Sequence, residues 1–156
     1  MKVLNKVLIG VASLAMLTAC ASKCDYAKFH EKAVAAYNES KSVSFSQVVV
    51  KGSAKDEDGE HKFDNVTVKF ENGAFKATNI THLDEVFAAA MLSAMTADLI
   101  PEDSDVTYYA GSTFKISSQD EDGKGTMTWN KYALPTVVKT TDKDGGQTNY
   151  TVSYKK

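Results

Sequence analysis

Three short segments concentrate carboxylates beside a glycine: Asp56-Glu57-Asp58-Gly59, Asp120-Glu121-Asp122-Gly123 and Asp142-Lys143-Asp144-Gly145. Such oxygen-rich loops suit calcium, but the EF-hand loop requires glycine at its sixth position and a bidentate glutamate at its twelfth. Here the glycine falls at the fourth, and the twelfth positions are Thr67, Lys131 and Ser153. Asp-Gly pairs also make hairpin turns, because both residues tolerate the backbone angles a tight turn needs. The segments are therefore read as turns, with no metal site. The histidines, His30, His61 and His82, are scattered, and none has a second histidine at metal-ligand spacing. No serine occupies a Gly-x-Ser-x-Gly elbow, and neither Gly-x-Gly-x-x-Gly nor a phosphate-binding loop occurs. No catalytic constellation is recognisable, so the expectation is a non-enzyme without a cofactor.

The residue type that does invite chemistry is cysteine. Met1 to Lys6 carries two lysines and no acid, and an apolar run from Val7 to Leu17 follows, ending at Leu17-Thr18-Ala19-Cys20. A basic start, a short apolar stretch and small residues at a cleavage point make a signal peptide. The run falls short of the roughly 20 residues that span a bilayer core. Leu17-Thr18-Ala19-Cys20 resembles the lipobox of bacterial lipoproteins. The resemblance implies cleavage before Cys20, lipid attachment to its thiol and several acyl chains as a stable anchor. It also implies residence in the cell envelope. Ala21 stands where such proteins carry aspartate for inner-membrane retention. This points to the outer membrane in a diderm organism and otherwise to the outer face of the cell membrane. Residues 1–19 are then a signal peptide, 20–24 a lipidated tether and 25–156 a single domain. Cys24 is left as an unpaired thiol in the tether or the first helical turn.

Without Lys2 and Lys6, 16 basic residues stand against 20 acidic ones. That balance disfavours nucleic acid as a partner. Every basic residue is lysine, so no guanidinium can clamp a phosphate or carboxylate.

The elements follow from periodicity. Tyr26, Phe29, Ala33, Val34 and Tyr37 recur at helical spacing after a potential cap at Asp25, predicting an amphipathic helix over 25–39. Val43, Phe45 and Val49 open a strand that ends near Lys51. Val66, Val68 and Phe70 alternate with polar residues, and Asn72-Gly73 signals a hairpin into Phe75 and Ala77. A second helix is expected from about Leu83 to Ala97, with Thr81 as its cap. It is apolar nearly all round, which argues for cover on more than one side. Further strands are read at Val106–Tyr109, Thr113–Ser118, Thr126–Tyr132, Pro135–Thr140 and Asn149–Tyr154. Pro135 places its strand at an edge. The expected class is α+β: an antiparallel, curved sheet of about seven strands, with two main helices over its apolar face.

This order of an amphipathic helix, a long hairpin, an Ala/Met-rich helix and a run of antiparallel strands resembles the LolA/LolB and LppX/LprG families of lipid-binding proteins. The resemblance covers roughly residues 25–156, as element order and polarity. It implies a lipid or other apolar ligand held between sheet and helices. Phe87, Met91 and Met95 would face that ligand from the second helix, opposite Phe70, Phe114, Met127 and Trp129 on the sheet. The other reading is a surface protein-interaction lipoprotein with a solid core, its exposed patch along Tyr108, Tyr109 and the strand edges.

Overall fold

The computed structural model describes residues 21–156. The segment expected to be a signal peptide, and Cys20 with it, therefore lie outside the described residues. Among the described residues the fold is α+β: a single open antiparallel sheet of nine strands and two α-helices. The strands are β1 (Ser22–Cys24), β2 (Phe45–Asp56), β3 (Gly59–Glu71), β4 (Ala74–Ala77), β5 (Val106–Ala110), β6 (Phe114–Gln119), β7 (Gly123–Trp129), β8 (Pro135–Asp142) and β9 (Gln147–Lys155). The helices are α1 (Tyr26–Ser40) and α2 (Leu83–Ala94), and a 3-10 turn follows at Ala97–Leu99. Across the sheet the order is β1-β5-β6-β7-β8-β9-β2-β3-β4.

Nine strands replace the expected seven, and the clearest addition is β1. Ser22, Lys23 and Cys24 pair with Ala110, Tyr109 and Tyr108 of β5. The segment expected to be a tether is already part of the sheet from Ser22, so Cys24 sits on a strand as a half-buried free thiol. Three residues are too few to display a period.

The long hairpin behaves as its turn chemistry requires. Asn72 and Gly73 both take positive φ, and Glu71 faces Ala74 across the turn. The β2–β3 hairpin is longer than its apolar pattern suggested, closing at Asp56 opposite Gly59. Gly52, at a bulge in β2, has a φ of 139° and lies against the Asn149 carbonyl of β9. Any side chain there would collide with the neighbouring strand's backbone.

Pro135 does not mark an edge. β8 lies between β7 and β9. Pro135 is the first residue of its strand, opposite Trp129 where the β7–β8 register shifts, so its missing N–H interrupts no regular ladder.

Each helix covers one half of the apolar face. Phe29, Ala33 and Ala36 of α1 pack with Tyr108, Ala110, Phe114 and Trp129 of β5–β7. Ala88, Ala89 and Leu92 of α2 pack with Val48, Val50, Val68, Phe70 and Phe75 of β2–β4 and with Val138 and Val152. Tyr37 and Met127 touch both halves. The cap of α1 is the expected one, with Asp25 accepting from the Lys28 N–H at 2.8 Å.

Candidate functional site

The apolar surface that remains open belongs to α2. Its buried side is narrow, made of two alanines and one leucine. On the other side Leu83 is 66% and Phe87 56% exposed, with Val86 and Ala90 also exposed. Ile80, just before the helix, is 83% exposed, and Leu99 beyond it 58%. Positions 83, 86, 87 and 90 follow helical spacing, so they form one stripe. Met91 and Met95 are half-buried, packed on the α2 half of the core.

Both ends of the helix are fastened. At its start Glu85 accepts from the Thr78 hydroxyl at 2.5 Å and from the Asn79 N–H at 2.8 Å, and it meets His82 Nδ1 at 3.0 Å. The Thr78 hydroxyl bond, then the His82 and Asn79 bonds, hold the Glu85 carboxyl down at about 2. Thr81 does not cap the helix. Its hydroxyl donates to the Asn79 side chain, and the residue at the cap position is His82. At the far end the Trp129 indole N–H donates to the Met95 carbonyl at 2.6 Å. The Ala97 N–H donates to the Ala133 carbonyl at 3.0 Å. Polar latches thus bracket a helix whose middle carries no charge.

The sequence-derived ligand set does not gather round one space. Phe70, Met91 and Met95 belong to the α2 half of the core, and Phe114 and Trp129 to the α1 half. Met127 lies on the seam, half-buried. Phe70, Trp129 and Phe114 are at most 3% exposed and fill the interior. Phe87 points outward instead of toward them. The physical reason is the division of the sheet between two helices: α2 lies over β3 and β4 and meets β7 at its end, where Trp129 donates to the Met95 carbonyl. Ile80, Leu83 and Leu99 were missed. The all-round apolar pattern is the available signal, but by itself it points equally to cover on more than one side.

The alternative patch along Tyr108 and Tyr109 is also relocated. Tyr108 is buried under Phe29 and Tyr26, with its hydroxyl accepting from the Asp103 N–H. Tyr109 is half-buried, with Lys115 over its ring.

The aspartate turns carry their own explanation. Asp56, Asp120 and Asp142 each turn one carboxylate oxygen back onto two backbone N–H groups of the same hairpin, at 2.7–3.1 Å. That is the side-chain mimic of a turn for which aspartate is chosen. A shallow cleft of about 270 Å³ lies between the β6–β7 and β8–β9 hairpins, bordered by Ser118, Asp120, Lys124 and Thr140. Among the described residues, no group of three or more His, Cys, Asp or Glu side chains is arranged to hold a metal ion, and no helix is long and apolar enough to cross a membrane.

No protein-family model, curated protein or solved structure matches this chain.

Proposed function

We propose that the chain is a membrane-anchored envelope lipoprotein, acylated at Cys20, that binds the hydrocarbon of a lipid along the outer face of α2. The observation that carries this reading is the stripe of Leu83, Val86, Phe87 and Ala90, continuous with Ile80 and uncharged through the body of the helix. Water-exposed side chains of this size on one face mark a binding surface. The absence of Lys, Asp or Glu between Glu85 and Asp98 favours hydrocarbon over a charged partner surface. Beneath the stripe, Met91 and Met95 provide flexible thioether side chains able to mould to an irregular chain.

The sheet in this reading is curved. Tyr26 at one end of α1 meets Tyr108 of β5 edge to face, and the hydroxyl of Tyr37 at the other end donates to the Gly73 carbonyl beyond β3. In sheet order β5 and β3 are six strand spacings apart. A flat sheet would separate them by about 29 Å. The two tyrosines are about 17 Å apart along the helix axis. With the tyrosine side chains supplying the remaining reach, this span suits a sheet that bends toward the helix. The ligand then lies outside the filled concave face, against α2, and not between α2 and Trp129.

A photoactivatable fatty-acyl phospholipid tests the placement. Irradiated with the protein, it is expected to label the peptide containing Leu83–Met91 and to lose that labelling in Phe87→Asp. Labelling of the β6–β7 peptides instead would return the site to the interior and overturn the proposal.

A further inference from the structure

The register divides the domain into two ends of opposite charge. The β2–β3, β6–β7 and β8–β9 turns, at 57–58, 120–122 and 143–146, share one end of the sheet. Each of these hairpins carries two or three carboxylates at its tip. The β5–β6, β7–β8 and β3–β4 connections share the opposite end, together with the start of β2 and the finish of β9. The exposed charges there include Lys41, Lys131, Lys155 and Lys156, with Lys23, Lys76 and Glu39 close by. Lys41 bonds the Asn38 side chain and Lys131 lies over the Tyr132 ring. None of the four is in an ion pair among the described residues. Carboxylates near this end are Glu39 in the last turn of α1, Asp98 beside Ala97, whose N–H bonds the Ala133 carbonyl of the β7–β8 connection, and Glu71, which is held 3.2 Å from both Lys69 and Lys76.

The chain also enters the sheet at the lysine end, since Ser22 pairs with Ala110 at the close of β5. Two peptide links separate Ser22 from Cys20, a reach of about 7 Å. An anchor at Cys20 therefore brings this end, and not the aspartate tips, to the bilayer.

We infer that the anchored domain stands with its lysine end against anionic lipid headgroups and its three aspartate hairpins directed away from the membrane. The inference rests on the lipid-anchor reading of Cys20 but uses a different surface from the α2 stripe. Lysines held near an anionic leaflet are attracted within a Debye length of it, and carboxylates on the far end escape its repulsion. The orientation leaves the side of α2 beside the headgroups and free to meet lipid.

The test uses the processed, membrane-purified protein in vesicles of phosphatidylcholine, with or without phosphatidylglycerol. Backbone hydrogen exchange at 111–113 and 130–134 is expected to slow several-fold on the phosphatidylglycerol vesicles. Exchange at 120–122 and 143–146 is expected to stay the same. The slowing should vanish at high salt and when Lys41, Lys131, Lys155 and Lys156 are changed to glutamine. Equal exchange on both vesicle types, or slowing at the aspartate hairpins, overturns the orientation. Intact mass of the same preparation reports acylation separately. An unmodified Cys20 overturns the anchor reading and the orientation with it, whereas an acylated protein without the slowing overturns the orientation alone.

Discussion

Phe70 and Phe87 are the same residue type and were expected to meet the same ligand, yet they occupy opposite situations. Phe70 is fully buried against Phe45 and Phe75. Phe87 is more than half exposed. Phe70→Ala should therefore cost about 3–5 kcal/mol through lost transfer energy and a cavity. Phe87→Asp should change stability by no more than about 0.5 kcal/mol, as surface substitutions do, while abolishing lipid labelling. Denaturant unfolding of the two variants checks the contrast. Glu85 supplies a second prediction. Its carboxyl titrates near 2 instead of its ordinary 4.5, chiefly because the Thr78 hydroxyl bonds the charged form. A carboxyl depressed by folding stabilises the fold in full above its unfolded value, and that contribution is lost as pH falls through the folded one. The difference in melting temperature between the protein and Glu85→Gln should thus shrink as the pH falls from 4.5 toward 2. A difference that grew on acidification would contradict the assigned hydrogen bonds.

Elements were legible wherever a period ran long enough. The alternation of Val66, Val68 and Phe70, the Asn72-Gly73 turn and the α1 pattern from Tyr26 to Tyr37 all appear where the residues place them. Three features were not legible, each for a physical reason. β1 is three residues long and owes its conformation to β5, a partner some eighty positions away. Pro135 reads as an edge signal, but at the first position of a strand a missing donor is tolerated. The open side of α2 was hidden because Ala88 and Ala89, small enough to let the helix sit close on β3 and β4, bury where the larger Phe87 was expected to. Volume at the contact, which periodicity does not encode, decided which face turned inward. Because β1 belongs to the sheet, a fragment beginning at Asp25 should unfold at lower denaturant than one beginning at Ala21. The loss should be roughly 1–3 kcal/mol, from the ladder hydrogen bonds removed. Equal midpoints would mean that Ser22–Cys24 contributes nothing to the sheet.

At the scale of the whole molecule the parts separate cleanly: a core split between two helices, an apolar stripe on one of them, and a sheet whose ends carry opposite charge. The core residues hold α2 in place, and its outer face is left exposed as an apolar surface. The candidate site was therefore only partly readable in the sequence. The helix was identified and Phe87 named. The sheet residues paired with it, Phe114, Met127 and Trp129, proved to lie in or against the other half of the core. Native mass spectrometry of the fragment beginning at Ala21, made in a bacterial periplasm and purified without detergent, tests lipid binding most directly. The account predicts a lipid-sized adduct that organic extraction removes and that Phe87→Asp fails to carry. A bare protein mass that stays unchanged after incubation with envelope lipids would contradict it.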